Sequence, residues 1–382
     1  MFEDQVLIIS FWNPTEKHPH QGIFIQEQAA AVCNLRENVI FLQVNVLTSD
    51  NFFLKKTFEE SAYYKNKQII VNLYSRLWKF WYVNPWLLAW MIYRIIEKKR
   101  DEINPAIIHS NVIFPCGIVG YLLARRLGAK LLISEHWSKA EKLLKHPVYK
   151  RIAMRSYRKC TTIICVSDFL SKRISGATGH TNVVNIPNII NSDIFTYRPK
   201  PPANTGQVYM LCVASWRLPK RLDLIFDALC LYALETKQQI DLSVVGNGMQ
   251  VEMLKNRKTP DNLQIRWIGY LGRPAIAALF QKTHLFLHAS NIETFSIVTA
   301  EALSTGTPVL ASNTGALPEL INEQNGLIVE NTTEAWLKSI REIVSKNFDY
   351  QAIALQNQNK YSPLTIGKSI IDVYNRINSD LK

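Results

Sequence analysis

The feature that most narrows what this chain can fold into is an alternation of short apolar, strand-like runs with helix-period runs, which starts afresh halfway along. QVLIIS (5 to 10) reads as a first strand and leads through FWNPTEKHPHQG to Gly22 and the helical run IFIQEQAAAVCNL. AIIHS (106 to 110) and LLISE (131 to 135) flank a helix opened by Pro115. After NIPNIINSDIF comes RPKPPANTG (198 to 206), whose Pro and Gly content marks it as the linker. The series then resumes with VYMLCVAS (208 to 215), the helix LDLIFDALCLYALE, the strands IDLSVVG and LQIRWIG, the helix PAIAALFQ and the strand HLFLHAS. Such alternation argues parallel sheets covered by helices on both faces. A length of 382 residues is long for one core and natural for two. The expectation is an α/β chain of two doubly wound domains, 1–198 and 205–363. Ligands of such sheets lie outside the carboxyl ends of the strands, which puts the expected site in a cleft between the domains.

Charge separates the two halves. Residues 1–190 hold 25 basic and 14 acidic side chains, against 19 and 17 in residues 191–382. Much of the excess sits in KAEKLLKHPVYKRIAMRSYRK (139 to 159), where eight basic residues accompany the single acid Glu141 and the run breaks at Pro147. A second stretch, 72 to 100, combines Trp78, Trp81, Trp86 and Trp90 with Arg76, Lys79 and a basic end. Interleaved cations and aromatics suit an anionic membrane surface. The competing reading has the tryptophans filling the core and the charges solubilising the surface. Nucleic acid is the other partner for excess positive charge, but no nucleic-acid motif accompanies it. The apolar stretches 80–96 and 106–124 are interrupted by Asn84, Pro85 and Arg94, and by His109, Asn111 and Pro115, so neither reads as a spanning helix. MFEDQVLIIS begins acidic and reads as a strand rather than a secretory signal. A cytoplasmic protein, peripherally associated with the inner face of the plasma membrane, is the expectation. Six cysteines form no CxxC pair and no metal spacing, so neither a disulfide framework nor a zinc site is expected.

Glu293 and Glu301 stand eight positions apart in ETFSIVTAEALSTGTPVLAS (293 to 312), where a loop turns into a helix and then a Pro-led strand. With a helix start near Ser296, Glu301 lies about 7 Å along the axis while Glu293 stays in the loop. The two carboxylates then address two ends of one ligand, and between them lie the first free N–H groups of the helix, suited to a diphosphate. Sugar and ribose hydroxyls are donors, and ionised carboxylates only accept. The bland alternatives are a dipole or capping role for Glu293 and a solvent-facing position for Glu301.

Beyond this helix lie a turn at Gly306 and Pro308, the strand PVLAS, and TGALPELI (314 to 321). Taken together, residues 293–329 resemble the donor-binding segment of the retaining glycosyltransferase family 4 (glycosyltransferase group 1). Members of that family have the GT-B fold, two Rossmann-like doubly wound domains facing across a cleft. The resemblance implies a last helix, about 364–382, crossing back onto the first domain. It implies transfer of a sugar from a nucleoside diphosphate donor, UDP- or GDP-linked, to a hydroxyl with retention of anomeric configuration. In that picture Glu293 binds and orients the sugar. The backbone at Phe295, Ser296, Ile297 and Val298, with the Thr299 hydroxyl, meets the sugar and phosphates, and Glu301 holds the ribose. Arg217 and Lys220 in SWRLPKR bind the diphosphate, with the choice between Lys220 and Arg221 left open because Arg221 stands where a Gly is usual. Gly246, Asn247 and Gly248 in VVGNG resemble the turn near the phosphates, and Tyr270 and Leu271 lie near the base. In the first domain Gly22 lets a ligand approach the backbone, and His136, after LLISE, contacts the transferred sugar. His18, His20 and His288 are weaker candidates, His288 as a group packing or hydrogen-bonding beside the site.

No two aspartates are separated by one residue, so the DxD metal clamp of other glycosyltransferases is missing and neither metal nor cofactor is expected. A phosphorylase would need a pyridoxal phosphate lysine context, and an epimerase would not explain the basic aromatic first half. Glycogen synthases carry a lysine and double-glycine loop that HPHQGIF lacks. The remaining alternative is a catalytically inactive membrane-peripheral scaffold. The expected acceptor is a glycan, lipid-linked and at the membrane, in cell-surface polysaccharide or glycolipid synthesis.

Overall fold

The computed structural model describes residues 4–15, 20–200 and 206–379. His18, most of the expected linker (201–205) and the last three residues of the expected final helix lie outside them. The chain divides into two compact units, Met1–Ile189 with Pro363–Lys382, and Ile190–Ser362.

The first unit is built on eight strands: β1 (Val6–Ser10), β2 (Val39–Leu47), β3 (Lys55–Tyr63), β4 (Asn66–Tyr74), β5 (Ile107–Asn111), β6 (Lys130–Glu135), β7 (Thr162–Cys165) and β8 (Val183–Asn185). Their order is β3-β4-β2-β1-β5-β6-β7-β8. All neighbours run parallel except β3 and β4. Helices cover both faces of the parallel part, so β1, β5 and β7 are buried throughout, including His109, Ser110 and Asn111 of β5. β3, KKTFEESAY, is the exception: it lies mostly exposed on the sheet edge, where its lysines and glutamates discourage further pairing.

The helix Pro363–Ser379 belongs to this unit. Its Ile366, Ile370, Val373, Tyr374 and Ile377 recur at helical spacing and are all buried in the core with Ala29, Val32 and Cys33 of the helix Ile23–Leu35. Gly367 permits the close approach, since a Cβ there would stand 2.7 Å from Leu35 Cδ1 and 3.2 Å from Ala31 Cβ. Buried His109 bridges Tyr374 Oη (2.6 Å) and Ser134 Oγ (2.7 Å). Burial pulls its imidazole down to about 3, leaving it neutral at physiological pH.

The second unit holds six parallel strands, β9 (Gln207–Val213), β10 (Gln239–Val245), β11 (Leu263–Gly269), β12 (Leu285–His288), β13 (Val309–Ser312) and β14 (Gly326–Val329). Their order, β11-β10-β9-β12-β13-β14, reverses direction between β9 and β12. Loops leaving these two strands therefore part to opposite faces, which opens a crevice at their carboxyl ends.

The boundary between the units differs from the expected one at 198–205. It falls at Ile189 and Ile190, because residues 190–200 pack on the second unit before the Pro-rich stretch begins. Ile190 donates its N–H to Tyr361 O, and Phe195 packs edge-on against Phe280. Lys200 points its buried amine at Phe280 O and Thr283 O, each 2.9 Å away. Loss of solvation lowers that amine to about 7. Composition marked a linker, whereas the division is set by which core receives Ile190 and Phe195.

Filling the gap at Gly367 tests the docking of the last helix. Gly367→Leu is expected to destabilise the first unit by about 1–3 kcal/mol through overpacking against Ala31 and Leu35, read as a lower urea midpoint.

Candidate active site

The segment after β12 is shaped by its neighbours on both sides. Arg221 N–H bonds Ala289 O and Asn291 N–H bonds Pro219 O, tying this segment to the loop after β9. Ser290 N–H bonds Ser312 Oγ at 2.9 Å, and Thr314 Oγ1 donates to Asn291 O at 2.9 Å. Gly315 completes the clamp. It has φ +57°, and a Cβ on it would lie 2.0 Å from Glu293 O, so only glycine lets the turn press on the Glu293 backbone. Ala316 N–H then bonds that same carbonyl at 3.0 Å.

With its backbone fixed, Glu293 turns its carboxylate to Lys220 Nζ in an ion pair and to His288 Nε2 at 2.7 Å. Burial alone would raise this carboxyl, but the Lys220 charge and the His288 N–H outweigh it and hold the group at about 2. His288 is buried and held below its ordinary value by desolvation and by Lys220, so it is the neutral ring that donates from Nε2. The bland alternative for Glu293, a helix cap or dipole partner, does not describe these contacts.

The next turn carries backbone strain. Ser296 stands before the helix Ile297–Ser304 at φ 72°, ψ 78°, a left-handed conformation that costs a β-carbon residue of order 1–3 kcal/mol. Its hydroxyl lies 2.8 Å from Thr299 Oγ1 and 3.3 Å from His288 Nε2. No side chain caps the helix, so its first N–H groups keep their capacity for a ligand. Phe295 is buried edge-on against Tyr361, while Ile297 and Val298 are partly exposed. Glu301 is buried rather than solvent-facing, which removes its bland alternative, and it accepts from Arg273 Nε at 3.2 Å. Arg273 in turn lies over the Phe195 ring.

The loop after β9 separates its three cations. Lys220 joins the Glu293 cluster, Arg221 pairs with Asp223 at 2.7 Å, and Arg217 is exposed and makes no ion pair among the described residues. Gly246, Asn247 and Gly248 pack beneath this loop. Trp216 N–H bonds Asn247 O, and a Cβ on Gly246 or Gly248 would meet Ala214 O at 1.9 Å or Trp216 O at 2.1 Å. Both glycines are thus required to seat the cationic loop, whatever else approaches them. Tyr270 is exposed and Leu271 partly so, both just past the end of β11.

In the first unit, His136 follows β6 and its Nδ1 lies 3.1 Å from Asn188 Oδ1. Desolvation holds its imidazole below the ordinary value. The ring packs on Phe24 at 4.5 Å, in the helix that Gly22 opens. Gly22 has φ +71°, and a Cβ there would lie 1.9 Å from Trp12 O. His136 is anchored through its neighbour: buried Glu135 accepts from the N–H groups of Ile113, His136 and Trp137 and from Tyr157 Oη at 2.6 Å. His20 is exposed in the turn before Gly22.

Sequence reasoning did not single out Glu135, Asn188, Arg273 or Gly315, and gave His288 only a supporting place. The glycine of TGALPELI was visible as a turn, but nothing in the sequence says which backbone the turn presses on. The tryptophans of 72–100 do not fill the core. Trp86 and Trp90 are exposed, and Trp86 stacks on Tyr149. The 139–159 run forms two helices, Ala140–Leu144 and Lys150–Lys159, on either side of Pro147. No described helix is long and apolar enough to cross a membrane.

Two family models match adjoining stretches, Glycosyltransferase Family 4 over residues 46–194 and Glycosyl transferases group 1 over residues 193–361. An uncharacterized glycosyltransferase of Methanocaldococcus jannaschii is 26% identical over 320 residues, 82% of this chain and 83% of that one. A GDP-mannose-dependent alpha-(1-6)-phosphatidylinositol dimannoside mannosyltransferase of Mycobacterium tuberculosis is 27% identical over 194 residues, 48% of this chain and 49% of the other. Among solved structures, sucrose-phosphate synthase from Thermosynechococcus elongatus superposes with a TM-score of 0.71 at 16% identity, covering 99% of this chain and 100% of that chain. At that identity the likeness establishes the fold, which is GT-B.

The Glu293 cluster also sets a pH dependence. A carboxyl lowered by folding adds stability that is complete above its unfolded value, about 4.3, and is lost as pH falls through the folded value. The difference in melting temperature between wild type and Glu293→Gln should therefore shrink between about pH 5 and about pH 2.

Proposed function

Because the chain belongs to the group 1 glycosyltransferases of family 4, we propose that it moves a sugar from a UDP- or GDP-linked donor to a hydroxyl of a lipid-linked glycan, with the anomeric configuration retained. The observation that carries this reading is the Glu293, Lys220 and His288 cluster beside the uncapped helix at Ser296, at the β9–β12 switch point. A diphosphate seated on the N–H groups of Ile297, Val298 and Thr299 finds a cation in Lys220 and a second in the exposed Arg217. Glu293, ionised at any physiological pH, accepts from hydroxyls of the sugar. Glu301 offers its carboxylate to the ribose, with Arg273 orienting it.

In the transfer, the bond from the anomeric carbon to the diphosphate oxygen breaks, and the acceptor oxygen bonds that carbon on the same face. The acceptor proton passes to the leaving phosphate oxygen, whose growing charge Lys220, Arg217 and the helix start stabilise. Glu293 orients the sugar and forms no covalent bond. Transfer on this account needs no added metal, because the cations of the chain meet the diphosphate charge. His136 presents a neutral ring at a strand end of the first unit.

A membrane acceptor is supported by the exposed Trp86 and Trp90 together with the cations of 139–159. The mycobacterial relative, named for a phosphatidylinositol dimannoside, points the same way. The protein on this reading works peripherally, at the inner face of the plasma membrane.

Release of UDP or GDP from a panel of sugar donors, with lipid extract as acceptor source and chelator present, tests the reading. Turnover with one donor is expected, and Lys220→Ala should lower kcat by about 10²–10³ while Arg221→Ala changes it little. No turnover with any donor, with or without chelator, would sink the proposal.

A further inference from the structure

A cavity of about 740 Å³ opens in the first unit at the end opposite His136. Its walls include Tyr121 and Arg125 of the helix Ile118–Leu127, Lys130 at the start of β6, Arg155 and Lys159 of the helix Lys150–Lys159, and Thr161 just before β7. Lys130 is the first residue of β6 and His136 follows its last, so the length of the strand, roughly 20 Å, separates the cavity from that histidine. Four cations line the cavity and no carboxylate does. Among the described residues, none of the four makes an ion pair.

Two of these cations have an ordinary explanation, since Arg125 and Lys159 stand in the last turns of their helices and offset the negative dipole ends. The dipole does not account for Arg155 or Lys130. Arg155 lies before the last turn of its helix, and Lys130 is a partly buried strand residue. Arg125, Arg155 and Lys159 are exposed, so water screens much of their repulsion, and the four charges together make a positive hollow that favours an anion. Arg125 is steadied over the Tyr121 ring, which leaves its planar fork presented to a ligand. Gly128 ends its helix in open space, with nothing within 4 Å of the Cβ it lacks, and so widens the same hollow.

We propose that this cavity binds a phosphate-bearing ligand at a site separate from sugar transfer. Two guanidinium groups and two ammonium groups match a diphosphate or a phosphate monoester, where bidentate N–H pairs meet paired oxygens. The volume lies in the range of small-molecule sites, roughly 300–1,000 Å³, and exceeds what a lone monovalent anion fills. The phosphate can come from a soluble metabolite or from a lipid headgroup, and the two share the same recognition chemistry.

The test titrates inorganic pyrophosphate into the full chain by calorimetry, with sodium chloride holding ionic strength constant. Lys220→Ala accompanies wild type, so that binding at the donor site is told apart. Binding that survives in Lys220→Ala and weakens roughly tenfold or more in Arg125→Ala/Arg155→Ala is expected. Equal binding in that double variant and wild type, or none in Lys220→Ala, overturns the proposal. Lys130→Gln/Lys159→Gln provides a second reading if the arginine pair lowers the melting temperature of the unliganded protein. Co-sedimentation with phosphatidylcholine vesicles containing phosphatidic acid then identifies the source. Vesicle binding that pyrophosphate displaces and the double variant loses supports a lipid phosphate. Pyrophosphate binding without vesicle competition supports a soluble one.

Discussion

The cluster after β9 and β12 depends throughout on the ion pair between Glu293 and Lys220, two residues brought together from loops after different strands. Each side chain is placed by backbone rather than by its partner. Lys220 sits in a loop seated on the Gly246–Gly248 turn, and Glu293 in a loop pressed by Gly315. His288, at the end of β12, fills the angle between them. Removing either charge would leave the other partly buried and unpaired, so the pair behaves as one unit. The left-handed Ser296 beside it fits the same picture, since strain persists only where the surroundings over-determine the backbone.

Legibility tracked the range of the forces involved. Strand–helix alternation is local and strong, so both parallel sheets were visible as a class, and so was the helix start near Ser296. The strands β2, β3 and β4 were not singled out. β3 is charged along its length, because its place at the edge relaxes the demand for apolar residues. The boundary was misplaced for a related reason. RPKPPANTG has the composition of a linker, but Ile190 and Phe195 had already entered the second core, and contacts distant in sequence decided where the units divide.

The site shows the same limit at closer quarters. Glu293 and Glu301 were candidates by spacing and Lys220 by resemblance, and the structure brings Glu293 and Lys220 together. Which of Lys220 and Arg221 meets Glu293 was not legible, because adjacent residues on a loop point apart, here to Glu293 and to Asp223. Gly315 and Arg273 act on partners 22 and 28 positions away, Glu293 and Glu301, and no local pattern encodes those meetings. Glu135 was read only as the end of a strand, yet four donors converge on it and fix the backbone that carries His136.

On the proposed reading, Glu293 reads the sugar of the donor while the helix start and Lys220 hold its diphosphate. Calorimetric affinities of Glu293→Gln for the nucleoside diphosphate and for the corresponding nucleotide sugar test it most directly. The nucleoside diphosphate is expected to bind as it does to wild type, while the extra affinity contributed by the sugar is lost. An unchanged sugar increment, with the diphosphate affinity lost instead, would contradict it.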